Sequence, residues 1–125
     1  FIIICIFHIL QLLALLFGYK PHKKVVDWLT VFMVRGLFLM GVKVRYYGLR
    51  ELPHSRPLII VSNHQSLHDV SLIHYCFRPH HPKWVSKVEL GRGIPSISLN
   101  LRKGGSVLID RKDRLGSVQA IHAFG

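Results

Sequence analysis

The chain opens on FIIICIFHILQLLALLFGY, Phe1 to Tyr19, an apolar run that only His8 and Gln11 interrupt. A helix that crosses a bilayer needs about 20 predominantly apolar residues, so the run predicts a membrane helix. Lys20, His22, Lys23 and Lys24 follow at once, and a basic flank of this kind sits on the cytoplasmic side. Everything downstream is then expected at the cytoplasmic face. A secretory signal peptide is the competing reading, but its charges should precede the apolar run, and no small-residue cleavage site is evident. Val25 to Val42 is apolar almost all round, with Asp27, Thr30 and Arg35 as its few polar positions. It predicts a second helix, either lying in or against the bilayer or buried as an ordinary core helix. Pro21 marks a turn between the two stretches. Residues 1–42 are therefore expected to form a membrane-associated segment, an apolar helix or helix pair.

The chain as a whole is strongly basic, with a net charge of +11, while half its residues are hydrophobic and its mean hydropathy is +0.31. A disordered basic tail does not combine these properties. Nucleic acid and anionic lipid both answer the charge, but the apolar opening favours an anionic membrane, and no nucleic-acid fingerprint or pattern of stacking aromatics is present. The 125 residues start at Phe1 without an initiating methionine, so the sequence reads as a fragment or processed chain with one modest core. Cys5 and Cys76 give neither a disulfide framework nor metal-ligand spacing, which points to a reducing compartment.

Residues 43–125 change period. Lys43 to Tyr47 alternates and ends at Gly48, predicting a strand and turn. Leu58 to Ser62 is a short apolar run between Pro57 and Asn63, which predicts a buried strand. Val70, Ile73 and Phe77 recur at helical spacing; a strand near Trp84 to Ser86, a helix near Ile94 to Arg102 and a strand from Ser106 to Asp110 follow. The fold class is α/β, a mixed or parallel sheet flanked by helices, with strand-end loops free for chemistry. No internal repeat, low-complexity tract or long linker breaks it.

Where the Leu58–Ser62 run gives way to a helix stands Asn63-His64-Gln65-Ser66-Leu67-His68-Asp69. A histidine paired with a carboxylate can take a proton from a hydroxyl, because the carboxylate fixes the tautomer and stabilises the imidazolium. Spacing alone does not choose between His64 and His68. On one continuous helix His64 and Asp69 would stand about 140° apart, so they meet only if His64 lies in the turn before the helix. Ser66 to Asp69 supplies the [ST]-x-x-[DE] capping pattern, which would start the helix at Ser66 and leave His64 outside it. The same pattern offers Asp69 a purely structural role. A zinc site on His64 and His68 lacks the general-base glutamate, since Gln65 stands in its place, and no third ligand is indicated.

Asn63-His64, four residues and Asp69 together resemble the first motif of the 1-acyl-glycerol-3-phosphate acyltransferase family. Trp84 to Pro95 followed by Gly105 to Arg111 resembles that family's second block in order and spacing, and the likeness runs from about Leu58 to Arg114. Ser98 departs from the pattern, since many members carry a glycine shortly after the Ile94-Pro95 pair. The resemblance implies a glycerolipid acyltransferase-like fold and transfer of a fatty acyl group from a thioester, on acyl-CoA or acyl carrier protein (acyl-ACP), to the sn-2 hydroxyl of lysophosphatidic acid. It implies His64 as general base oriented by Asp69, with no acyl-enzyme and no bound cofactor or metal. Arg111 is implied as the grip on the acceptor phosphate, a guanidinium fork being suited to phosphate oxygens; otherwise it is a solvated arginine in the run Asp110 to Arg114. Lys87 is a weaker electrostatic contributor, and Asn63 is expected to hold the turn.

Acyltransferases of the same family with another lysophospholipid or an amino-acid lipid as acceptor fit these motifs equally. A non-catalytic basic membrane adaptor is a further alternative. In the resembling family a glutamate-glycine-threonine-arginine block follows the second motif, and nothing like it occurs between Arg111 and Gly125. The 125 residues alone are accordingly expected to be inactive.

Overall fold

The computed structural model describes residues 2–53 and 56–124; Phe1, the first residue of the apolar run, lies outside them. The elements are α1 (Ile2–Leu16), α2 (Tyr19–Leu39), α3 (Leu67–Cys76), β1 (Val85–Lys87), α4 (Ile97–Lys103), β2 (Val107–Ile109) and α5 (Arg114–Phe124), with short 3-10 turns at Leu49–Glu51, Arg78–His80 and Val88–Gly91. By packing the chain divides into two units, residues 1–26 with 83–125, and residues 27–82.

In the first unit the apolar run is helical but short. α1 has 15 residues, about 22 Å of helix, against the roughly 30 Å of a hydrocarbon core. It ends where Phe17 and Gly18 donate to the carbonyls of Ala14 and Leu15, and Gly18 takes φ +107°, open to glycine at little cost. No described helix is long and apolar enough to cross a membrane, so the expected crossing helix is not supported. Nor does Pro21 make the turn. It stands in the first turn of α2, where the amide it lacks has no helical partner to lose.

The two polar interruptions of α1 face inward. Gln11 is fully buried, as is Ser96; Gln11 Nε2 donates to Ser96 Oγ at 2.6 Å, and the Ser96 amide donates to His8 Nδ1 at 2.9 Å. Ser96 has φ 64° and ψ −52°, while the Ile97 amide reaches back to the Pro95 carbonyl at 2.7 Å. This is a γ-turn of the rare, strained kind. A non-glycine residue there costs about 1–3 kcal/mol and persists only where its surroundings over-determine it. Hydropathy counted His8 and Gln11 as blemishes in a lipid-facing helix; they are instead the inner face that grips this turn.

β1 and β2 pair in parallel, Val85 with Val107, Ser86 with Leu108 and Lys87 with Ile109. Both fall close to their expected positions, as does α4. α4 packs on the Val88–Gly91 turn and on β2, and α1 packs on α4. A Cβ at Gly91 would stand 2.6 Å from Leu108 Cδ1, so a larger residue there would have to displace the Leu108 side chain where the turn closes over β2. Ser98, the departure from the family pattern, is buried and ties the same region: its hydroxyl donates to the Leu90 carbonyl at 2.8 Å and accepts the Ile94 amide at 3.0 Å.

The second unit packs the later part of α2 against α3. Leu29, Thr30, Val34 and Leu37 are buried along α2. From α3, His74 Nε2 lies 3.3 Å from Asp27 Oδ1, and Ser71 Oγ contacts Met33 Sδ at 3.6 Å. The expected strands at Lys43–Tyr47 and Leu58–Ser62 do not form, since neither segment has a ladder partner. Ile59 is 96% and Val61 90% exposed, so the second segment is not buried either. A β-prone composition becomes a strand only when another strand takes its amides and carbonyls. The architecture is therefore mixed, helices with a small parallel sheet.

Candidate active site

α3 starts where the capping pattern places it. The Ser66 hydroxyl accepts the His68 amide at 3.3 Å, and Asp69 Oδ2 accepts the amides of Ser66 and Gln65 at 2.8 Å each, closing a capping box. His64 lies outside the helix, and its Nδ1 approaches Asp69 Oδ2 to 3.5 Å. The capping and pairing readings of Asp69 thus coexist, since one carboxylate oxygen serves both. Ser66 and Gln65, in that order, hold the Asp69 carboxyl below its usual range through their amides, and the His64 ring adds to the effect. A carboxylate at this distance favours the His64 tautomer that carries its proton on Nδ1, in which Nε2 is free to accept one. The His64 side chain is 57% exposed, so a substrate hydroxyl can approach it. Because His64 is not helical, His64 and His68 do not form the i, i+4 pair of a zinc helix. Among the described residues no cluster of three or more histidine, cysteine, aspartate or glutamate side chains is placed to hold a metal ion.

α3 has two working faces. Ser71 and His74 anchor it to α2, whereas Asp69, Leu72, Ile73 and Cys76 fall within about 100° of one another on a different face. That second face borders an open groove of about 410 Å³ within the same unit, lined by Val44, Leu49, Leu72, Ile73, Cys76 and Phe77 among others. Burial pushes the Cys76 thiol up, only partly opposed by Arg78, so Cys76 is a poor nucleophile. Asn63 is exposed immediately before His64.

The other two expected residues belong to the first unit. Lys87 ends β1, and Arg111 follows β2 by two residues. Parallel strands present their carboxyl ends at one edge, the usual place for ligands in α/β sheets, so the ladder brings Lys87 and Arg111 to the same edge. Both side chains are exposed. Beyond Arg111, Asp110 Oδ1 accepts the Lys112 amide at 2.9 Å, and Asp113 Oδ1 accepts that of Gly116 at 2.9 Å, starting α5. Reading Asp110 to Arg114 only as a charge run overlooked this helix. The usable signal was Asp113 followed by Leu115, Val118 and Ile121 at three-residue intervals.

His64 and Asp69 pair at the head of α3 in the second unit, and Lys87 and Arg111 share a strand edge in the first. The family model described as Acyltransferase matches residues 43–123, and the chain belongs to that family. It is similar to the 1-acyl-sn-glycerol-3-phosphate acyltransferase of Helicobacter pylori strain J99, with 40% identity over 65 residues. That match covers 52% of this chain and 27% of the relative, so the chain spans little more than a quarter of the relative's length. No solved structure matches the chain.

Proposed function

We propose that the chain is part of an enzyme that transfers a fatty acyl group from acyl-CoA or acyl-ACP to the sn-2 hydroxyl of 1-acyl-glycerol 3-phosphate. The observation that carries this reading is the 3.5 Å approach of His64 Nδ1 to Asp69 Oδ2 in the Asn-His-x4-Asp motif; the name of the similar Helicobacter protein supports the choice of acceptor. His64 Nε2 takes the hydroxyl proton as the oxygen attacks the thioester carbonyl carbon. The tetrahedral intermediate then collapses with cleavage of the C–S bond, and the departing thiolate recovers the proton from the imidazolium. Asp69 keeps His64 in the required tautomer. Arg111 and Lys87 receive the acceptor phosphate by charge-assisted hydrogen bonds. The apolar groove on the Asp69 face of α3 receives an acyl chain; it begins at Leu72, about one helical turn from Asp69.

The reaction is set at a lipid surface. α1 turns Ile2, Ile6, Ile9, Leu13 and Leu16 outward, and Lys20, Lys23 and Lys24 follow it. An apolar face with a basic flank suits a helix lying in the headgroup region of an anionic membrane. Sidedness is read from segments that cross, so α1 as it stands assigns no face of the membrane.

The test is acyl transfer by the intact protein in mixed micelles, offering lysophosphatidate, a lysophospholipid with a larger headgroup, and an amino-acid lysolipid. Lysophosphatidate should be preferred, and His64→Ala should lower turnover by about 100- to 10,000-fold. Turnover that survives this substitution would overturn the mechanism. Preference for another acceptor would redirect the substrate within the family.

A further inference from the structure

We propose that His8 and Gln11 are positioning residues, which hold Ser96 in its γ-turn and thereby set the sheet edge where Lys87 and Arg111 stand. The inference rests on the reading of that edge as the acceptor-phosphate site. The Ser96 backbone is strained for any residue with a side chain, and both handles on it come from α1: His8 accepts its amide, and Gln11 donates to its hydroxyl. Neither bond is spare, because Gln11 and Ser96 are fully buried, where a polar group left without its partner is costly. Ser96 leads directly into α4, which lies against β2 and against the Val88–Gly91 turn. That turn begins at the residue after Lys87, and Ser98 fastens it to α4 through the Leu90 carbonyl. A relaxed Ser96 turn therefore shifts α4 and, with it, the end of β1. The face of α1 opposite to these bonds is the one proposed to meet lipid, so one short helix links the membrane surface to the geometry of the acceptor edge.

The test compares Gln11→Leu, Ser96→Gly and the double substitution in the intact protein, by hydrogen exchange across residues 94–100, by KM for each substrate and by vesicle sedimentation. Gln11→Leu should speed exchange in that segment by about tenfold or more, a local opening. It should raise acceptor KM about fivefold or more and leave donor KM within about twofold. Adsorption to vesicles should be kept, since leucine is more apolar. Adding Ser96→Gly removes both the strain and the stranded hydroxyl, so the double variant should return acceptor KM most of the way to wild type. Unchanged exchange, equal shifts in both KM values, or a double variant worse than Gln11→Leu would each overturn the proposal. Arg111→Ala separates the two readings. If it leaves acceptor KM unchanged, the acceptor reading falls, and exchange alone then decides the clamp: faster exchange supports it and unchanged exchange overturns it.

Discussion

The oxygen of Asp69 that stands 3.5 Å from His64 Nδ1 is the same atom that accepts the amides of Gln65 and Ser66 at 2.8 Å each. The start of α3 and the pairing with His64 therefore share one carboxylate oxygen. Asp69→Asn should lower kcat by about 100-fold or more through loss of the tautomer control, with a modest fall in Tm. Ser66→Ala removes the other half of the box and should lower Tm without a comparable loss of kcat. Equal losses of activity in the two variants would reduce Asp69 to a cap.

His68 offers only its backbone amide to the capping box, and the residue is exposed. His68→Ala should therefore stay within about twofold of wild-type turnover, as surface substitutions usually do. A collapse of activity matching that of His64→Ala would move the base to His68.

At the sheet edge, Arg111→Ala should raise KM for the phosphate-bearing acceptor and spare the donor. Loss of a charge-assisted contact is worth about 1.5–3 kcal/mol, or about ten- to a hundredfold in apparent affinity. Arg111→Lys keeps the charge but not the fork, so it should fall between the two. Initial rates over a grid of both substrates separate the effects, and equal changes would make Arg111 structural.

His22 gives the fold an acid-sensitive point. It is 1% exposed, neither ring nitrogen has a hydrogen-bond partner, and burial, then the charge of Lys83, lowers its pKa from the ordinary 6.5. A depressed folded value means that the unfolded chain binds the proton more readily. The contribution is whole above about pH 6.5 and is lost as pH falls through the folded value. Thermal scans from pH 7.5 downward should show Tm beginning to fall near pH 6.5, and His22→Leu should flatten that limb. An unchanged slope in the variant would clear His22 of the effect.

Local signals in the sequence sufficed where local physics decides the outcome. The capping pattern at Ser66 put His64 outside α3, and the short β-prone runs near residues 85 and 107 became β1 and β2. Leu58 to Ser62 has the same local character, yet extended chain becomes strand only through a partner, which composition does not specify. The direction in which Gln11 points was equally hidden. Hydropathy averages over a helix, whereas the fate of one amide depends on Ser96, 85 residues away. Arg111 and Lys87 could be named from the motif, but their shared edge follows from the parallel pairing of two strands.

α1 is built inside out, with its polar side chains against protein and its isoleucines and leucines facing away. Any amphiphile that covers that outer surface binds the folded chain in preference to the unfolded one, and so acts as a stabilising ligand by mass action. The midpoint of unfolding is then a titration curve in disguise. It should climb with detergent or lipid concentration and differ between amphiphiles, so a Tm measured in plain buffer is the zero-ligand point of that curve.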